Sequence, residues 1–121
     1  MKVLSFPNGE KLKVRSEKGT MLLRLDELVY VRSDGRYSNL FMLERKPILV
    51  SESLKVIEEL LTPYLFVRCH KCCLINLAFL EGYSQSALKV HLRGGKEEYI
   101  PASKSGLILL RDALRVFESS G

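Results

Sequence analysis

Turn sequences divide this chain into short runs. Pro7-Asn8-Gly9 separates Lys2–Phe6 from Lys11–Arg15, and Ser33-Asp34-Gly35 separates Leu28–Arg32 from Leu40–Leu43. Asp bonds its own backbone in such turns, and Gly supplies a positive φ, so each sequence predicts a hairpin. Arg93-Gly94-Gly95-Lys96 does the same between the alternating Leu88, Val90, Leu92 and the return segment Glu97–Ile100. Leu28, Tyr30 and Arg32 alternate with Val29 and Val31, the period of a strand. Met21–Leu25 and Ile48–Val50 are further short apolar runs, and Ala78–Tyr83 predicts a strand or a bend.

Two segments follow helical spacing instead. Leu54, Ile57, Leu60 and Leu61 share one face, with Pro63 just past the end, and predict a short helix near 52–61 capped by Ser51 or Ser53. Leu107, Leu110, Leu114 and Phe117, widened by Ile108 and Leu109, predict an amphipathic helix near 104–118 capped by Ser103 or Ser105. That helix could cover a sheet or pair with a second chain. Ser119-Ser120-Gly121 reads as a frayed end.

At 121 residues the chain, 1–121, is expected to form one domain with a core that needs no disulfide or metal, residues 1–16 being an N-terminal hairpin extension. Its 19 Lys and Arg against 14 Asp and Glu leave +5, which favours a polyanionic partner if the charge is clustered. There is no apolar run of the ~18 residues that would mark a membrane helix. Pro7-Asn8-Gly9 interrupts the N-terminus too early for a signal peptide, so the expected location is cytoplasmic, with no membrane partner. The carboxylates are scattered, and neither a nucleophile–base pair nor a Gly-rich phosphate loop is present, so neither enzyme nor cofactor is expected.

Phe66–Leu77, FVRCHKCCLINL, mixes core residues with a tight basic group. As a strand it would put Phe66, Arg68 and His70 on one side and Val67, Cys69 and Lys71 on the other. Charges there fit a sheet edge protected against aggregation as well as an anion contact. Cys69 and Cys72 form a C-x-x-C, but a structural zinc needs about four ligands and only His70 is near, so no metal is expected. His91, on the polar phase of its strand, reads as a solvated residue. Free cysteines behave mainly as small buried hydrophobes. A redox role for Cys69 would need an exposed thiol of low pKa, which Arg68 and Lys71 would favour and burial would defeat.

The order of residues in this segment resembles the signature of LytTR-type DNA-binding domains, F-x-R-x-H-[RK]-S-x-[LI]-[VI]-N, matched by Phe66, Arg68, His70, Lys71, Leu74, Ile75 and Asn76. Cys72 stands where a serine is usual; a thiol is the weaker donor to a phosphate. Val31, Ser33, Asp34, Gly35, Arg36, Tyr37, Ser38 and Leu40 resemble a second hallmark of that family, V-x-S-D-G-R-Y-S-x-L. Ser53, Leu54, Lys55, Ile57, Glu58 and Leu60 resemble its S-L-K-x-[LI]-E-x-L segment, and Ile100-Pro101-Ala102-Ser103-Lys104 its closing I-P-[VA]-S-[RK]. Lys104 replaces the more usual arginine, and lysine cannot reproduce the planar fork of Arg on guanine.

The resemblance covers roughly 21–105. It implies a mostly β fold of stacked small antiparallel sheets, a β-β-β sandwich, presenting three loops along one edge to double-stranded DNA, and hence a bacterial transcriptional regulator of the response-regulator effector type. It implies base contacts from Tyr37, Lys71 and Lys104, and backbone or supporting contacts from Arg36, Ser38, Lys55, Arg68, His70 and Ser103. Asn76 is expected to hold the backbone of the central segment. A homodimer or paired binding on DNA is consistent with the family. The start at Met1 and the strands before Met21 lead to the expectation of a free-standing DNA-binding protein rather than a response-regulator fragment. The competing reading is a protein-interaction domain that keeps this fold without strong DNA binding, for which Cys72, Lys104 and the broad apolar face of the last helix speak. A continuous basic edge through Tyr37, Lys71 and Lys104, or its interruption by groups such as Glu44 and Glu81, separates the two.

Overall fold

The computed structural model describes residues 1–94 and 99–118. Strands β1 (Lys2–Phe6), β2 (Gly9–Ser16) and β3 (Gly19–Arg24) form one antiparallel sheet in that order. The central sheet holds five strands in the order β6-β5-β4-β8-β7: β4 (Leu28–Asp34), β5 (Tyr37–Met42), β6 (Ile48–Val50), β7 (Phe66–His70) and β8 (Cys73–Asn76). A third sheet is ordered β11-β10-β9, from β9 (Leu80–Ser84), β10 (Lys89–Leu92) and β11 (Ile100–Pro101). Helix α1 (Leu54–Leu61) links β6 to β7, and α2 (Lys104–Glu118) follows β11. The mostly β class of the sequence reading holds, with both helices within two residues of their predicted bounds.

The central sheet is buried on both faces, because its side chains alternate between two cores. Val31, Leu40, Met42, Val50, Phe66 and Leu74 pack with Leu12, Val14 and Leu23 of the first sheet and with Leu54, Ile57 and Leu61 of α1. Tyr30, Cys69, Cys73 and Ile75 pack on the other side with Val90, Leu92, Ile100, Leu107 and Leu110. Tyr30 and Phe41, paired across β4 and β5, stack with ring centroids 4.2 Å apart. Full burial of each such side chain contributes about 1.5–3 kcal/mol, so both layers help to hold the central sheet in place.

Three sequence expectations gain detail here. The predicted first hairpin forms as β1 and β2, paired from Lys2↔Lys13 to Phe6↔Gly9, and β2 also pairs β3 from Lys11↔Arg24 to Ser16↔Gly19 and buries Leu12 and Val14. The strict alternation of Leu28–Arg32 breaks at an irregularity between Leu28 and Tyr30, after which Val29 and Tyr30 share one core while Leu28 and Val31 share the other. A bulge inserts one residue and shifts the phase in this way. Ala78–Tyr83 divides into a 3-10 turn over Leu77–Phe79 and strand β9. The turn at Gly95-Lys96, the first half of the Glu97–Ile100 return and the 119–121 end lie outside the described residues.

Candidate nucleic-acid interface

Strand register decides which loops meet. β4 and β5 pair from Leu28↔Met42 to Asp34↔Tyr37, which places Gly35 and Arg36 at the hairpin tip. β4 also pairs β8, with Arg32 opposite Cys73, and the Ser33 N–H donates to the Cys72 carbonyl at 2.9 Å, so the β7–β8 turn lies beside that tip. β6 leaves the sheet at the same end, where Val50 is opposite Ser38. The Ser103 N–H donates to the Cys69 carbonyl at 2.9 Å, which brings the start of α2 to the β7–β8 turn. Glu44, by contrast, follows Met42 at the Leu28 end of the hairpin, away from these loops.

The tip is an open presentation of side chains. Gly35 adopts φ +63, where a Cβ would be strained. Arg36 is exposed and Tyr37 is 50% exposed. Ser38 does not share this exposure. It is fully buried and its hydroxyl donates to the Glu52 carbonyl at 2.8 Å, tying β5 to the segment before α1. Of the backbone or supporting contact expected of Ser38, this burial and this tether fit the supporting one. Lys55 is exposed on the first turn of α1, whose cap is Ser53: its Oγ accepts from the Val56 N–H at 3.3 Å.

The β7–β8 turn is built by its own basic residues. Arg68 Nε donates to the His70 carbonyl at 3.0 Å and Nη2 to the Lys71 carbonyl at 2.5 Å, while Nη1 pairs with Glu58 Oε1 at 2.6 Å. One guanidinium thus closes the turn and anchors it to α1, and only 23% of its side chain is exposed. Glu58 has no contact role in the sequence reading, where it figures only as the matched glutamate of the S-L-K-x-[LI]-E-x-L segment. His70 Nδ1 accepts the Cys72 N–H at 3.1 Å, which fixes the neutral tautomer with its proton on Nε2. Burial, reinforced by the charges of Lys71, Arg32 and Arg68, lowers the His70 pKa and favours that neutral form. With Arg68 and His70 turned inward as braces, the exposed cation at the apex is Lys71.

The third loop enters α2. Ser103 Oγ accepts the Gly106 N–H at 2.9 Å, identifying Ser103 as the cap, and Lys104 is exposed on the first turn. Gly106 packs so closely on β7 that an added Cβ would collide with the Cys69 carbonyl. Arg68, His70, Lys71, Ser103 and Ser105 line one surface hollow, joining the turn to the helix start. Ser105, within 3.2 Å of the Ser103 hydroxyl, carries no motif signal and enters the sequence reading only as the alternative cap. Arg32 is missed as well, though its charge acts on His70; a polar residue ending an apolar strand is its one clue.

Cys69 is corrected as a redox candidate. It is fully buried, its Sγ faces the Pro101 carbonyl at 3.5 Å, and burial pushes its thiol up to about 12. Such a thiol stays protonated and unreactive. Asn76 does hold backbone, as expected: Nδ2 donates to the Leu28 carbonyl at 2.9 Å and Oδ1 accepts from the Ala78 N–H at 3.0 Å. Among the described residues no group of three or more His, Cys, Asp or Glu is arranged to hold a metal, and no helix is long and apolar enough to cross a membrane.

A sandwich of three sheets, with two hairpin turns and a helix start gathered at one end, defines a loop-presenting β domain. Residues 18–115 match the family model of the LytTr DNA-binding domain, and the chain belongs to that family, whose members are DNA-binding, transcription-regulating domains and not enzymes. Its fold is similar to that of a solved LytTr DNA-binding domain from Bacillus cereus, with a TM-score of 0.69 at 20% identity, over 86% of this chain and 95% of that one. No curated protein gives a significant match.

Proposed function

We propose that this chain binds double-stranded DNA sequence-specifically through the three loops and acts as the DNA-reading part of a bacterial transcriptional regulator in the cytoplasm. Support comes mainly from one observation: the register brings the tip at Arg36-Tyr37, the apex at Lys71 and the helix start at Lys104 to one end of the central sheet, all exposed. Arg36 and Lys55 suit phosphates, which supply affinity and little sequence information. Tyr37, Lys71 and Lys104 are assigned to base edges, one from each loop; a lysine donates to guanine O6 or N7, and Tyr37 packs on a thymine methyl. Arg68 and Ser103 act by holding the loops, and His70 both braces its turn and offers Nε2–H to an acceptor. The whole of 1–121 serves as one binding unit, and two copies on paired half-sites fit the family.

The test is an anisotropy titration of reduced protein against genomic duplex fragments with nonspecific competitor, at several salt concentrations. Fragments that survive competition, with a salt slope of about 4–8 phosphate contacts, uphold the reading. Salt-sensitive binding without preference, or no binding, contradicts it. The exposed Ile108, Leu109 and Val116 on α2 favour a second reading, a protein-interaction domain. That reading gains if duplex binding fails while these residues govern self-association or partner capture.

A further inference from the structure

We propose that Cys72 is the reactive thiol of this chain, a site of reversible S-thiolation by low-molecular-weight disulfides on the turn assigned to DNA. Its regulatory part rests on the DNA-binding reading of that turn. Cys69 and Cys73 are fully buried, whereas Cys72 is partly exposed. Its Sγ lies 3.0 Å from His70 Nδ1 and 3.5 Å from Cys73 Sγ.

The imidazole is fitted to act as a base. The single lone pair of Nδ1 accepts the Cys72 N–H at 3.1 Å and lies 3.0 Å from Cys72 Sγ, so taking the thiol proton means giving up that N–H bond. The lowered His70 pKa, caused mainly by burial and then by Lys71, Arg32 and Arg68, favours the neutral ring. A thiol within hydrogen-bond reach of such a base is the geometry of an activated nucleophile.

In the exchange, the Cys72 thiol proton passes to His70 Nδ1 while Sγ attacks one sulfur of the disulfide. The Sγ–S bond forms and the S–S bond of the reagent breaks. The departing thiolate leaves with the electron pair and takes the proton from the imidazolium. Cys72 is oxidised to a mixed disulfide and the released half is reduced to a thiol. Burial raises the Cys73 pKa, so this neighbour stays protonated and is slow to resolve the adduct. A glutathionyl group would then set carboxylates and bulk beside Lys71, against the phosphates. The turn itself keeps its place, because the Ser33 N–H holds the Cys72 carbonyl at 2.9 Å.

The experiment treats reduced full-length protein with glutathione disulfide at neutral pH, maps the adduct by peptide mass spectrometry, and titrates the product with the duplex chosen above. One glutathione is expected per chain, on Cys72, with affinity reduced about tenfold or more through lost phosphate contacts and restored by dithiothreitol. Cys72→Ser should take no adduct, and its own affinity should not change on treatment with glutathione disulfide, and His70→Gln, folded by circular dichroism, should react several-fold more slowly. An adduct on Cys69 or Cys73, no adduct on a chain that labels fully when unfolded, or a Cys72 adduct that leaves affinity unchanged would overturn the proposal. If reduced protein binds no duplex, the DNA-binding reading fails and takes the regulatory part with it, while the mapping alone still decides whether Cys72 is the reactive thiol.

Discussion

The two turns at the loop-bearing end of the central sheet are built in opposite ways. The β4–β5 tip is closed by backbone pairing and a glycine in the left-handed region, so Arg36 and Tyr37 are left to solvent. The β7–β8 turn is closed by side chains: Arg68 spans the carbonyls of His70 and Lys71 and reaches Glu58, and His70 turns back to the Cys72 N–H. A backbone-closed turn can change its side chains and lose only their contacts. A side-chain-closed turn loses its shape with its braces, so two equally basic loops should answer mutation differently.

Gly106→Ala is expected to have the largest effect. Its Cβ would collide with backbone rather than with a flexible side chain, so α2 must lift from β7, at a cost of ~3 kcal/mol or more in chemical denaturation. The 34–37 tip, closed by its own β4–β5 pairing, should keep its amide spectrum. Arg68→Ala comes next: removing charge-assisted bonds to two carbonyls and to Glu58 should cost ~1–3 kcal/mol of stability and weaken specific and random duplex binding together. Lys71→Ala and Lys104→Ala should leave stability within ~0.5 kcal/mol and cost ~1–3 kcal/mol of specific binding, with a smaller loss on random DNA. Equal losses for Arg68, Lys71 and Lys104 in competition titrations would erase the distinction between brace and contact.

The smallest effect is set by pH. The His70 pKa is lowered from 6.5 in the folded protein, so the unfolded chain binds more protons between the two values. The contribution of this neutral brace is fully present above 6.5 and is lost as pH falls from there toward the folded value. The urea midpoint of the wild type should therefore fall toward that of His70→Gln on acidification, and parallel curves would contradict the brace.

Much of this was legible in the sequence because it is local. Turn chemistry at Asp34-Gly35, helical spacing over Leu54–Leu61 and the ordered motifs located the three loops. The inside–outside assignment of single side chains was not legible, because it depends on what covers each face. Cys69 sits in β7, an edge strand of the central sheet as its charges suggest, yet β9–β11 and α2 cover the face that holds it and bury it completely. Ser38 lies in the same polar tip as Tyr37, but the partner of its hydroxyl is the Glu52 carbonyl, 14 residues away. Arg68 reads as a phosphate ligand until Glu58, 10 residues earlier, and two carbonyls claim its guanidinium. Long-range partners of this kind leave no periodic trace.

The central claim is that one end of the central sheet, and not the outer face of α2, meets DNA. Amide chemical-shift mapping of the reduced protein, titrated with a duplex selected by competition, tests it most directly. The largest shifts should fall at 35–37, 70–72 and 103–105, with little change around Glu44 or from Ile108 to Phe117. Shifts centred on the outer face of α2, with the three loops silent, would contradict it.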